Sequence, residues 1–152
     1  MILVHSGVVA GIEGFLIEVE VDVRPGLPGF EIVGLPSKTV RESRERVRSA
    51  LRNSGFKFPA QKVIVNLAPA HYPKDGAFFD LPIALGILAS QGHLDPAMLR
   101  QRIFAGELSL NGSLKRINGT LSLTELAQEH GCQLVIPEAN SQEASLMGSG
   151  NL

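Results

Sequence analysis

A single cysteine, Cys132, is all the thiol this 152-residue chain carries, so no internal disulfide can form and the composition fits a reducing cytoplasm. No apolar run approaches the roughly 20 residues that a membrane-spanning helix needs. The start, MILVHSGVVAG, has no basic stretch ahead of an apolar one, so neither a membrane span nor a signal peptide is expected. Phosphate-cradling loops are missing too: the sequence has no GxxxxGK[ST] and no GxGxxG joining a strand to a helix. The histidines His5, His71, His93 and His130 are scattered without an i,i+4 pair, so metal-ligand spacing is absent.

What remains is a globular composition, 44% hydrophobic and 19% charged, in a length usual for one domain. The formal net charge is −1 but its distribution is uneven. Residues 1–36 hold Glu13, Glu18, Glu20, Asp22 and Glu31 against Arg24 alone, whereas Ser37 to Ser54 hold Lys38 and five arginines against Glu42 and Glu45.

Phe15 to Val23 alternates apolar and acidic residues, the period of a strand with one wet face. Such a strand suits an antiparallel or mixed sheet open to water on one side, with Leu3 to Ala10 as its hairpin partner. Strands are also expected at Phe30 to Val33, Lys62 to Leu67 and Gln133 to Ile136. A first helix begins near Ser37 or Thr39, where Thr39 and Glu42 match a capping box, and stops at Gly55. A second, capped by Asp80, runs through Leu81 to Ala89, which is apolar on every side and therefore expected to be the buried spine. Asn111-Gly112 between Ile103–Leu110 and Ser113–Ile117 signals a hairpin with a type I′ turn. A third helix covers about Thr120 to His130, and a last one, Gln142 to Met147 with a cap at Asn140 or Ser141, barely starts before the sequence stops. That ending is read as a fragment of a longer chain.

Among candidates for chemistry, Cys132 at a strand entry reads as a small hydrophobe. Lys38, Arg41, Arg44, Arg48 and Arg52 lie on overlapping faces of the first helix and could follow a phosphate backbone. Against this, Glu42 stands four residues before Arg46, and Glu45 lies within four residues of Arg41 and Arg48, which is ordinary helix-surface pairing. No aromatic residues interleave to stack on bases.

Three segments carry a resemblance: GLPGFEIVGLP with KTVRESRERVRSAL, NLAPAHYPKDGAFFDLPIALGIL, and FAGELSLNGSLKRINGTL. Together they resemble the amino-terminal domain of the ComM/YifB family of magnesium-chelatase-like AAA+ ATPases. The resemblance implies an α/β (α+β) domain with a Lon-protease-like, ribosomal-protein-S5-domain-2-like fold, a mixed sheet packed with helices. It implies a longer protein whose AAA+ module binds ATP and magnesium, forms a homo-oligomeric ring and works on DNA in natural transformation, in the cytoplasm and away from membranes. The domain's partners would then be the other domains of the same chain and, through the five cations, DNA.

Lon-type proteases use a serine after a KDG turn and a lysine after a GE-containing hairpin. The residues at those positions here are Phe78 and Leu121, so the resemblance implies a domain without catalysis and without a cofactor of its own. Two rivals follow from the same likeness. One is a cryptic peptidase using Lys115 or Lys74 with Ser109, and the other is a chelatase-associated subunit of tetrapyrrole metabolism.

Overall fold

The computed structural model describes residues 1–140. Strand β1 (Ile2–Ala10) turns through Gly11 into β2 (Glu13–Arg24), and their antiparallel register runs from Ile2↔Val21 to Ala10↔Glu13. Strands β3 (Gly29–Val33) and β4 (Lys62–Ala68) lie beyond β2, β4 antiparallel to β2 and β3 parallel to β4. On the other side β5 (Arg102–Phe104) and β8 (Gln133–Val135) continue in parallel from β1. The order is β3-β4-β2-β1-β5-β8, a mixed sheet as the alternation predicts.

Ile17, Val19 and Val21 of β2 and Val63, Val65 and Leu67 of β4 are wholly buried on one face. Each such side chain contributes about 1.5–3 kcal/mol by leaving water. Against this face packs α3 (Asp80–Ser90), buried along nearly its whole length as the apolar run requires. The helix α4 (Thr120–Glu129) covers the opposite face over one end of β1 and β2. Both crossings depend on missing side chains. A Cβ on Gly86 of α3 would lie 2.4 Å from Val21 Cγ2, and one on Gly7 of β1 would lie 2.7 Å from a Leu126 methyl. Beyond α4 no described element covers the second face, which carries Glu18, Glu20 and Asp22. Here Glu20 accepts from the Asn66 amide at 2.7 Å.

Several local expectations need correction. The first helix is two: α1 (Lys38–Arg41) and α2 (Ser43–Asn53), broken at Glu42. Ser37, not Thr39, is the cap, its hydroxyl accepting from Val40 N at 3.2 Å. The expected Ile103–Leu110 strand bends at Ala105-Gly106 into β6 (Glu107–Leu108), which pairs with β7 (Leu114–Lys115) in a separate ribbon. Its turn is not type I′, because Asn111 does not adopt the positive φ that form needs. Instead a three-residue loop joins Ser109 to Ser113, closed by Gly112 at φ 95° and by the Asn111 carboxamide accepting from Ser113. Asn140, one of the two caps expected for the last helix, bonds back to the segment before α4. Its carboxamide accepts from Ile117 N at 2.9 Å and donates to Ile117 O at 2.8 Å, clamping the approach to α4. The expected helix at 142–147 lies outside the described residues.

Candidate functional site

The turn from Lys74 to Asp80 is where the fold concentrates its unusual polar groups. Lys74 is 1% exposed and has no acidic partner among the described residues; its ammonium donates to the carbonyls of Gly34, at 2.6 Å, and Pro69. Burial holds its pKa below the ordinary lysine value. Asp75 accepts from Gly76 N at 2.8 Å, and hydrogen bonding from the Ser37 side chain and then from this amide lowers its pKa. Gly76 follows at φ 92°, and a Cβ there would meet the Phe78 ring at 2.8 Å.

Phe78 packs its ring 4.8 Å from that of Phe79 and lines an open groove of about 440 Å³. Val9, Ala77, Glu107, Arg116 and Ile117 contribute to the same walls. Among the described residues the lining includes no serine, threonine, cysteine or lysine. Leu121, half exposed on the first turn of α4, stands outside it. The geometry around the turn is nonetheless tightly held. Phe78 O accepts from Gly106 N at 2.9 Å, and Gly106 O accepts from Leu81 N at 3.1 Å, which locks the turn to the β5–β6 bend.

Asp80 is fully buried, and its carboxylate is not the helix cap expected for it. It accepts from the Ser43 hydroxyl at 2.5 Å, from Arg46 at 2.7 and 3.1 Å, and from Leu108 N at 3.0 Å. Four hydrogen bonds from two elements, α2 and β6, satisfy the charge that burial would otherwise penalise. For Arg46, burial opposes the charged form, but the hydrogen bond and charge of Asp80 outweigh it and hold the pKa above the ordinary value. Arg46 therefore pairs with Asp80 across helices, where the sequence suggested Glu42. This buried hub was not singled out by sequence reading. The only signal was an acid at the head of an all-apolar helix, which also fits a cap.

The five cations proposed for nucleic acid share a side of α1 and α2 but not a fate. Arg41 donates to Pro36 O at 3.1 Å, and Arg44 to Arg41 O at 3.1 Å and to Phe30 O at 3.5 Å. Arg48 lies 5.2 Å from the Phe58 ring centroid and 5.9 Å from that of Phe30, with Glu45 at 3.6 Å as expected. Lys38 and Arg52 are exposed and make no side-chain bond within the described residues. Aromatic rings do meet this face, but they come from β3 and the loop before β4, so the helix sequence could not reveal them.

The lysines of the peptidase alternative are dispersed. Lys115 is surface-exposed, 3.7 Å from Glu107; Lys74 is sealed in its carbonyl cage; and the Ser109 hydroxyl bonds to neither. Cys132 is partly buried, its thiol 3.6 Å from His130 O. Among the described residues no group of histidine, cysteine and acids could hold a metal, and no helix is long and apolar enough to cross a membrane.

A mixed six-stranded sheet with helices on both faces, a KDG turn and a GE-headed ribbon define a Lon-like α/β domain. Consistent with this, the chain is 30% identical to Lon protease 2 of Bacillus subtilis over 88% of its length. Residues 19–140 match the model of the family described as subunit ChlI of Mg-chelatase, and the chain belongs to this family, in its ComM/YifB branch. It is 46% identical over 98% of its length to Competence protein ComM of Haemophilus influenzae and 42% identical over 99% to the uncharacterised protein YifB of Escherichia coli. The matched part is 29% and 30% of those two proteins, so the chain spans less than a third of the relatives it matches.

Proposed function

We propose that this chain is the non-catalytic, amino-terminal domain of a ComM-like AAA+ ATPase. The whole protein would be a cytoplasmic, ATP-driven ring motor that moves DNA branch points during natural transformation. The observation that carries the reading is the KDG turn. It is hydrogen-bonded to the β5–β6 bend, and the resemblance to Lon-type proteases puts Phe78 and Leu121 at the positions where a serine and a lysine would act. A phenyl ring and an isobutyl group supply neither nucleophile nor base. ATP and magnesium belong to an AAA+ module outside this sequence, which has no phosphate loop of its own. The domain's work is then to pack against the motor's other domains and its neighbours in the ring.

Contact with DNA is assigned to the Lys38, Arg41, Arg44, Arg48 and Arg52 side of α1–α2. Lys38 and Arg52 are the better placed, because the other three are already engaged. Reversal of both charges, Lys38→Glu with Arg52→Glu, in the full-length protein tests this part. DNA affinity should fall and the salt dependence should flatten by about one phosphate contact per residue. Unchanged affinity and slope would remove this face from the DNA path.

A further inference from the structure

Among the described residues, the sheet ends beside α2 at β3. Strand β3 has β4 on one side and no described strand on the other. Gly29 N donates to Gln61 O on the β4 side, so by the alternation of a strand Phe30 and Ile32 turn their N–H and C=O groups outward. Among the described residues Phe30 O is met only by the long 3.5 Å bond from Arg44, a contact that an incoming backbone amide could replace. Exposed edges of this kind pair with foreign strands unless something prevents it.

Two cations decide which strand would fit. Arg44 and Arg48 lie on the α2 side of this edge, and Arg44 is freed from Phe30 O when an incoming amide takes that carbonyl. Arg48 is held by the rings of Phe58 and Phe30, with the exposed Glu45, 3.6 Å away, as the partner that an incoming acid would displace. Pairing β3 with β3 of a second copy would bring two such arginine pairs together and is disfavoured. On the other face of β3 the exposed residues are Glu31 and Val33.

We propose that the β3 edge is a docking site for an extended segment of a partner protein that carries acidic side chains on alternate positions. The ladder to Phe30 and Ile32 supplies affinity, and the acids meeting Arg44 and Arg48 supply selectivity. On the opposite face the segment presents apolar residues toward Val33. The inference is independent of DNA contact through Lys38 and Arg52.

The test uses a short fluorescein-labelled peptide of alternating glutamate and valine, with the chain titrated against it by anisotropy. Binding should be lost when alternate peptide nitrogens are methylated, because methylation breaks the ladder but leaves the charge. It should weaken about tenfold with Arg44→Glu and Arg48→Glu, whose helical signal by circular dichroism confirms folding. A lysine–valine peptide should not bind. Three results would overturn the proposal: no binding of the glutamate peptide, equal binding of the methylated one, or displacement of the peptide by a short DNA duplex that itself needs Arg44 and Arg48.

Discussion

Arg46 reaches across from α2 to place its Nε 2.7 Å from the Oδ2 of Asp80 at the head of α3, and the same carboxylate holds Ser43 and the backbone of β6. One buried charge thus fixes the helix layer to the ribbon that follows the KDG turn. Removing either partner leaves the other uncompensated in a low-dielectric site, which costs more than the pair contributes.

Asp80→Ala is therefore expected to lower unfolding free energy by about 3 kcal/mol, read as a reduced urea midpoint with an unchanged m-value. Adding Arg46→Met should recover part of that loss, since the orphaned cation is gone. A double variant no better than Asp80→Ala would show that the hub is not an ionic pair.

The α3 crossing makes a steric prediction. Gly86→Ala puts a methyl 2.4 Å from Val21 Cγ2 and 3.1 Å from Val21 Cβ, and the displaced helix should lose about 1–3 kcal/mol. Thermal unfolding checks it against Ser90→Ala at the exposed end of the same helix, which should be nearly neutral. Equal melting temperatures for the two would mean that α3 does not approach the sheet at Gly86.

Lys74 gives stability a signature at alkaline pH. Its pKa is lowered in the fold from the unfolded value of 10.5, so between the two values the unfolded chain holds more protons. In that window stability should rise with pH; below the folded value the contribution is constant, with the charged form disfavoured. Denaturant titrations from neutral pH toward 10.5 on the parent and on Lys74→Met would show it. The parent should gain on the variant as pH rises, and parallel curves would mean that the amine is not desolvated.

The frame of this fold is legible in the sequence because it rests on patterns of one segment. The alternation in β2, the apolar run of α3 and the glycines that end helices need no knowledge of neighbours. The site is less legible because its meaning comes from pairing across elements. Asp80 resembles a cap until Ser43, Arg46 and Leu108 are brought to it by folding. Lys74 resembles a surface lysine until Gly34 and Pro69 enclose it. The Asn111-Gly112 pair signals a turn correctly, but the turn's class depends on the length of loop between Ser109 and Ser113. The proposal that Phe78 and Leu121 stand at the Lon dyad positions comes from the sequence because it is a matter of residue identity alone.

The central claim, a Lon-like frame with its chemistry removed, is tested most directly by exposing the full-length protein to a fluorophosphonate probe and mapping any labelled peptide by mass spectrometry. The account expects no labelled serine within residues 1–140 while an active serine–lysine protease labels under the same conditions. Stoichiometric labelling of Ser109, or of any serine in this domain, would contradict it.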